Sequence, residues 1–144
     1  MIAPINSCLQ KKKIKILFVD DDYEVLKSTL EDIEDKIEGF FVEDEKACRK
    51  ILKSTNIDLI CLDGNLEDGI TGQDVVKSLR TSGHQIPICM ISGSENRNKE
   101  GLDVGANASI TKTDLFEAVF SNPDKIVKYF VGLSSKSKRI KKVK

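Results

Sequence analysis

The chain alternates between short apolar runs and longer segments in which apolar residues recur every three or four positions. Short, continuously apolar runs are typical of strands that are buried on both faces of a sheet. Five such runs are residues 14–19 (IKILFV), 39–43 (GFFVE), 57–62 (IDLICL), 86–91 (IPICMI) and 108–111 (ASIT). Because helical patterns separate them, the chain is predicted to form one three-layer α/β/α domain over residues 14–133, with a five-stranded parallel sheet.

The segments between these runs predict the helices. Leu26, Leu30, Ile33 and Ile37 are spaced four, three and four residues apart, which indicates one helix with Gly39 just past its end. Further helices are predicted over residues 44–54, around residues 75–79, weakly over residues 94–106, and over residues 123–133. The last one begins with proline, which is favoured at the first position of a helix. No helix is assigned between residues 112 and 122.

The composition is that of a soluble globular protein, with 40% hydrophobic and 32% charged residues. No apolar run approaches the roughly 20 residues that cross a bilayer, and the N-terminus lacks the pattern of a secretory signal. The four cysteines have no CxxC spacing and no nearby histidine, so neither a zinc site nor a disulfide framework is expected. Cys61 and Cys89 lie in apolar runs and are expected in the core. A cytoplasmic location is predicted.

The net charge of zero hides a strong segregation of charge. All 23 acidic residues lie between Asp20 and Asp124, whereas ten of the 23 cations lie within residues 11–15 and 134–144. The body of the protein is therefore acidic, which suits a site that collects a divalent cation. The ends, residues 1–13 and 134–144, are predicted to be solvated basic tails, since like charges repel. Binding of the C-terminal tail to nucleic acid or acidic lipid is the less favoured alternative.

Polar residues follow the predicted strands at the points where the strands end. They are Asp20, Asp21 and Asp22 after the first strand, Asp63 after the third, Ser92 after the fourth and Lys112 after the fifth. In open α/β sheets the ligand crevice lies outside these carboxyl ends. Neighbouring carboxylates repel unless a hard cation neutralises them, and Mg²⁺ prefers such oxygen ligands. A lysine and a hydroxyl beside them supply what a phosphoryl group needs.

This set of residues resembles the receiver domain of two-component response regulators. The resemblance covers about residues 14–133 and rests on the segments ILFVDDD, DLICLDGN, PICMISGS and GANASITK. It implies a flavodoxin-like topology and identifies Asp63 as the phosphoacceptor. By the same resemblance, Mg²⁺ is held by Asp20, Asp21, Asp63 and the backbone carbonyl of Asn65, while Ser92 and Lys112 contact the phosphoryl oxygens.

The resemblance also implies a mechanism and partners. Asp63 would attack the phosphorus of a phosphohistidine or of a small phosphodonor, so the protein promotes its own modification without being a turnover enzyme. The phosphoryl group would come from a sensor histidine kinase or a histidine phosphotransfer protein, and the signal would pass to a downstream target protein. Few residues follow the last predicted helix, so a stand-alone receiver without a fused DNA-binding domain is expected.

Three positions depart from the family pattern. Ser109 stands where an aromatic residue is usual, Thr113 follows Lys112 where proline is usual, and the loop after Asp63 is one residue longer, with Gly72 as the expected start of the next helix. We therefore expect the surface around residues 92–105 to respond to phosphorylation more than the fifth strand does.

Three alternatives remain open on the sequence. One is a degenerate receiver that keeps its carboxylates but acts as an interaction module without phosphorylation. Another is a haloacid-dehalogenase-type phosphatase, because LDGNL resembles the end of the DxDGT signature of that family; its nucleophile would then fall at Cys61, on the third strand instead of the first. In the third alternative, the aspartates have only structural roles and cap helices or start turns.

Overall fold

The computed structural model describes residues 13–135, which form a five-stranded parallel sheet between two layers of helices. The strands are β1 (Ile14–Val19), β2 (Ile37–Val42), β3 (Leu59–Leu62), β4 (Ile88–Ser92) and β5 (Ala108–Thr111), and they lie in the order β2-β1-β3-β4-β5. The predicted three-layer α/β/α architecture with flavodoxin-like topology is therefore confirmed. Strands β3 and β4 begin two residues later than predicted, and β2 begins two residues earlier.

Six α-helices surround this sheet within the described residues. They are α1 (Tyr23–Thr29), α2 (Glu45–Ser54), α3 (Gly72–Thr81), α4 (Glu95–Asp103), α5 (Lys112–Ser121) and α6 (Pro123–Ser134). Side chains alternate between the two faces along each strand, so β1 serves both halves of the core. Ile16 and Phe18 pack with α1, α5 and α6, whereas Leu17 and Val19 pack with α2 and α3. Every described helix is too short or too polar to cross a membrane.

The prediction for the first helix is wrong in its second half. Helix α1 ends at Thr29, and a 3₁₀ turn over Leu30–Ile33 continues it and buries both of its end residues. Ile37 instead starts β2, where it lies opposite Ile14 of β1, and Gly39 lies within the strand. The tertiary pairing with β1 therefore prevails over the local helical spacing that included Ile37.

Helix α5 was not predicted from the sequence. It begins at Lys112, directly after β5, and the Thr111 side chain caps it by accepting a hydrogen bond from the Asp114 N–H. Only Leu115 and Val119 are fully buried on it. Two buried positions, one turn apart, give a periodic signal too weak to separate this segment from a loop.

Helix α6 confirms the prediction of a closing helix that begins with proline. The Asn122 side chain caps it by accepting from the Lys125 N–H, and Pro123 occupies its first position. Its buried face contributes Ile126, Phe130 and Leu133 to the core beneath β1 and β3. Of the two predicted basic tails, only Lys13, Ser134 and Ser135 lie within the described residues, so the tail boundaries stay predictions.

Candidate functional site

The carboxyl ends of β1, β3 and β4 and the start of α5 converge at one edge of the sheet. They bring together Asp20, Asp21, Asp63, Ser92 and Lys112, which are the predicted side chains. Asp20 and Ser92 are each 1% exposed and Asp63 is 7% exposed, so these three side chains are buried, whereas Asp21 and Lys112 are partly exposed. Asn65 differs from them because it lies exposed at the rim, two residues after Asp63. The sequence order along the strands was thus sufficient to assemble this cluster.

Lys112 is the cation of this cluster. Its Nζ lies 2.7 Å from Asp20 Oδ2 and 3.4 Å from Asp63 Oδ2. Burial alone would lower the pKa of Lys112, but the contact with Asp20 and the charges of Asp63 and Asp20 outweigh it and raise that pKa above the ordinary value. The ammonium is therefore a fixed positive charge between two carboxylates.

The carboxylates of Asp20, Asp21 and Asp63 are close enough together to bind a metal cation in addition to Lys112. One oxygen from each of Asp20, Asp21 and Asp63 lies within 4.8 Å of the other two. Asp20 Oδ1 accepts the Asp22 N–H at 2.9 Å, but the buried Oδ2 has no hydrogen-bond partner among the described residues. Lys112 approaches that oxygen closely as an ion pair without the geometry of a hydrogen bond. Carboxylate oxygens with an unsatisfied lone pair fit a hard cation such as Mg²⁺.

Asp63 is the carboxyl group whose ionisation is most affected by this arrangement. Burial raises the pKa of Asp63 from 3.8 to about 6, and the neighbouring charge of Asp20 adds to the increase. Lys112 and the Asn65 N–H, which donates to Asp63 Oδ1 at 3.4 Å, lower the pKa only in part. Without a further cation, Asp63 therefore binds its proton more tightly in the folded protein than in the unfolded chain.

A pH-dependent stability difference should follow from this pKa. The folded protein holds the Asp63 proton more tightly than the unfolded chain does, so stability rises as pH falls through about 6 towards 3.8. Without divalent cations, Asp63→Asn should therefore be more stable than wild type at about pH 8, with the difference closing by about pH 4. Thermal denaturation in EDTA across this range measures it. Asp68→Asn, which replaces an exposed carboxylate, serves as the control. A stability difference between Asp63→Asn and wild type that does not change with pH would contradict the prediction.

Ser92 is held in place by residues that the sequence analysis did not identify. The Asn98 side chain accepts the Ser92 N–H at 3.1 Å, and its amide lies 3.4 Å from the Ser92 carbonyl and 3.5 Å from the Ile110 carbonyl. Asn98 is only 4% exposed although it lies in a strongly polar helix. The Ser92 hydroxyl itself accepts the Ser94 N–H at 3.1 Å. Asn98 of α4 thus holds the backbone of Ser92, and the Ser94 N–H holds its hydroxyl.

Two glycines allow the main chain to pack closely around Asp63. A Cβ at Gly72, which opens α3 as predicted, would lie 2.4 Å from the Asp63 carbonyl oxygen. A Cβ at Gly64 would lie 2.9 Å from Ser92 Oγ and 2.5 Å from the Cβ of Arg97. The Gly72 N–H also donates to the Gly64 carbonyl at 2.9 Å, which closes the long loop at its base. Any larger side chain at either position would displace the site.

Ser109 makes its contact through the backbone. The hydroxyl of Tyr129 lies 3.5 Å from the Ser109 carbonyl, so an aromatic residue does approach β5, but it comes from helix α6 and not from the strand itself. The predicted response of residues 92–105 to phosphorylation stays a prediction.

The helix-capping interpretation of the aspartates and the phosphatase alternative both lose support, although Asp20 and Asp63 each accept the N–H two residues further on, as a residue that starts a turn does. Asp22 precedes α1, but its side chain makes no capping hydrogen bond, and Asp20 and Asp63 face the cluster instead of a helix end. Cys61, where a haloacid-dehalogenase-type phosphatase would have its nucleophile, is fully buried within β3. A nucleophile at that position could not reach a substrate.

Comparisons with known proteins agree with the geometry. The sequence model described as "Response regulator receiver domain" matches residues 16–120, which leaves helix α6 outside the match. A sequence search of curated proteins finds no match. Among solved structures, the receiver domain of the Francisella response regulator 1452 has a TM-score of 0.69 at 22% identity and covers 87% of this chain and 99% of its own.

Two further solved structures have the same fold. The signal receiver domain of a putative Luxo repressor protein from Vibrio parahaemolyticus has a TM-score of 0.71 at 18% identity, over 92% of this chain and 98% of that one. Chemotaxis protein CheY4 of Vibrio cholerae has a TM-score of 0.64 at 24% identity, over 79% and 98%. At these identities the likeness concerns the fold.

Proposed function

Because the chain belongs to the response regulator receiver domain family, we propose that it is phosphorylated on Asp63 with bound Mg²⁺ and signals through a partner protein. The observation that supports this most strongly is the convergence of three carboxylates, Lys112 and Ser92 at one edge of the sheet. Receiver domains are generally not turnover enzymes, and this one would act on itself.

The cation would be held by the side chains of Asp20, Asp21 and Asp63 and by the backbone carbonyl of Asn65. When bound, Mg²⁺ supplies positive charge to both the carboxylates and the phosphoryl oxygens. This charge favours the ionised form of Asp63, whose pKa is otherwise raised to about 6, and the ionised carboxylate is the nucleophile.

Phosphoryl transfer then requires only positioning and charge neutralisation. A carboxylate oxygen of Asp63 forms a bond to phosphorus as the bond to the donor nitrogen or oxygen breaks, and the donor keeps the electron pair of that bond. The Lys112 ammonium, 3.4 Å from Asp63 Oδ2, neutralises charge on the transferred group. The Ser92 hydroxyl donates to a phosphoryl oxygen. A sensor histidine kinase or a histidine phosphotransfer protein is the proposed donor, in the cytoplasm.

The alternative of a receiver that acts without phosphorylation is less well supported. Such a module could keep its carboxylates, but without phosphorylation it would gain nothing that offsets the cost of burying charged groups. Here Asp20 and Asp63 are both buried and both depend on Lys112.

The proposal is tested by whether phosphorylation of the protein by acetyl phosphate, called labelling below, depends on Mg²⁺. Given acetyl phosphate, the wild type should gain one acyl phosphate with Mg²⁺ and none in EDTA. Two charges 4 Å apart interact by about 4 kcal/mol near a protein surface, and a tenfold change in affinity is about 1.4 kcal/mol. Asp21→Asn should therefore raise the Mg²⁺ concentration for half-maximal labelling by at least about tenfold.

Asp22→Asn is the matched control, because Asp22 is the adjacent carboxylate but is exposed and lies outside the cation cluster. This substitution should leave the Mg²⁺ concentration for half-maximal labelling nearly unchanged. Labelling that proceeds equally with and without Mg²⁺ would argue against the metal, and the absence of labelling under every condition would favour the phosphorylation-independent module.

A further inference from the structure

Arg97, in the first turn of α4, makes a bridge between two parts of the site. Its Nε donates to Asn65 Oδ1 at 3.0 Å, across the gap between α4 and the loop after β3. Its Nη1 donates to Glu100 Oε1 at 2.9 Å, one turn further along the same helix. The guanidinium is thus fixed at both ends, with Asn65 on one side and its own helix on the other.

The backbone that carries Arg97 is itself attached to Ser92. The Arg97 N–H donates to Ser94 Oγ at 3.2 Å, and the Ser94 N–H donates to Ser92 Oγ at 3.1 Å. The Arg97 Cβ also packs so closely over Gly64 that a Cβ at Gly64 would lie 2.5 Å from it. Arg97 therefore links the hydroxyl end of β4 to the loop that follows Asp63.

The charge of Arg97 is not used to neutralise the carboxylate cluster. Within residues 13–135, the ion-pair partner of Arg97 is Glu100, while Asp20 and Asp63 pair with Lys112. What distinguishes the contact with Asn65 is geometry, because the planar guanidinium offers its donors in a rigid fork that a lysine cannot reproduce. A rigid donor that holds an otherwise exposed rim residue indicates a positioning role.

We propose that Arg97 is a positioning residue of the cation site, which holds Asn65 in the orientation that its backbone carbonyl needs as a ligand. This inference rests on the proposed function, because it assumes that Mg²⁺ binds the carboxylate cluster. It adds a coupling that the carboxylates alone do not provide: binding of the cation at the end of β3 is linked through Arg97 to the first turn of α4.

The sign of one substitution separates positioning from electrostatics. Arg97→Gln removes a positive charge close to a cation site, so electrostatics alone would make Mg²⁺ bind more tightly. Loss of a residue that orients a ligand typically weakens metal binding by about tenfold or more. We therefore expect Arg97→Gln to raise the Mg²⁺ concentration for half-maximal thermal stabilisation by about tenfold, with labelling by acetyl phosphate recovered at saturating Mg²⁺.

Lys99→Gln is the control for charge, since Lys99 is exposed on the same helix and loses the same charge. Asn65→Ala tests the path, because it removes the side chain that Arg97 holds but keeps the backbone carbonyl. If Arg97 acts through Asn65, then Asn65→Ala should weaken Mg²⁺ binding to a similar degree, and the double variant should be no weaker than either single variant.

Several results would overturn the inference. If Arg97→Gln binds Mg²⁺ as tightly as Lys99→Gln or more tightly, its effect is explained by the loss of charge alone. If the losses of affinity add up in the double variant, Arg97 acts by a route other than Asn65. These failures require a wild type that does bind Mg²⁺, which leaves the proposed function intact. If Mg²⁺ does not change the thermal stability of the wild type, the proposed function and this inference are both overturned.

Discussion

Asp63→Asn is expected to abolish phosphorylation by acetyl phosphate in the presence of Mg²⁺. Asp63 follows β3 directly, its N–H donates to the Val19 carbonyl of β1 at 2.9 Å, and Lys112 holds one of its oxygens. The carboxylate is therefore fixed on both its backbone and its side chain. Nucleophilic attack is faster from a group that is fixed in this way, because a misplacement of about 1 Å can cost on the order of a hundredfold in rate.

Asp68→Asn provides the matched control within the same loop. Asp68 is exposed, and its φ of 59° places it in the left-handed region that asparagine also tolerates. The substitution therefore removes one carboxylate from the loop without straining the backbone. Labelling of Asp68→Asn should stay close to that of wild type, since this carboxylate lies outside the cluster.

Intact-protein mass measurement with acid and base treatment reads the result. The wild type should carry one phosphate that survives acid and is lost in base, as expected of an acyl phosphate. The receiver mechanism is falsified if Asp63→Asn labels as well as wild type. Preserved labelling in Asp63→Asn but not in Asp68→Asn would place the nucleophile in the exposed part of the loop.

The composition of the site was predictable because parallel strands end at a common edge. Each of Asp20, Asp63 and Lys112 follows an apolar run, and once the runs are strands of one parallel sheet, their ends meet whatever the length of the helices between them. The prediction of the site therefore tolerated errors of two residues in the strand bounds and the omission of helix α5.

The role of Ile37 was not predictable from local spacing. An apolar residue that continues a helical stripe also suits a strand, and only the pairing of Ile37 with Ile14 decides between them. This partner lies 23 positions earlier in the sequence, and nothing in the segment around Ile37 reports it. Long-range pairing is the information that a periodicity analysis lacks.

Asn98 and Arg97 were missed for a different reason. Both lie in the polar segment ENRNKEGLD, where the sequence does not distinguish them from their exposed polar neighbours. Their roles depend on how α4 is rotated on the sheet, which turns Asn98 towards Ser92 and Arg97 towards Asn65. Gly101 allows α4 to pack closely against β4, since a Cβ there would lie 2.5 Å from the sulfur of Met90. A close contact of this kind leaves no trace in composition or spacing.

The substitution Lys112→Met should separate the chemistry of phosphorylation from the binding of the cation. It keeps a long apolar side chain but removes the ammonium that lies 2.7 Å from Asp20 Oδ2 and 3.4 Å from Asp63 Oδ2. Removal of one preorganised group that stabilises transition-state charge typically costs about 10²–10³ in rate. The rate of labelling at saturating Mg²⁺ should fall by a factor in this range.

Binding of Mg²⁺ should change in the opposite direction. Without the ammonium, the carboxylates of Asp20 and Asp63 lose their neutralising charge and repel each other more strongly, so a divalent cation gains more by binding there. We expect the stabilisation by Mg²⁺ to be as large as in wild type or larger, although Lys112→Met in EDTA should be less stable than wild type. Lys128→Met, at an exposed lysine of α6, should change neither the rate nor the Mg²⁺ response.

The two measurements together assign the role of Lys112. Slow labelling with retained Mg²⁺ stabilisation means that the ammonium acts on the transferred phosphoryl group, because the cation site has survived its removal. Loss of both would mean that Lys112 only holds Asp20 and Asp63 in place, and labelling at the wild-type rate would remove it from the chemistry. The comparison with Arg97→Gln sharpens this test, since that substitution also removes a positive charge beside the site but is expected to weaken Mg²⁺ binding. Two cations at one site would then have opposite effects on the metal, because one neutralises the carboxylates and the other orients a ligand.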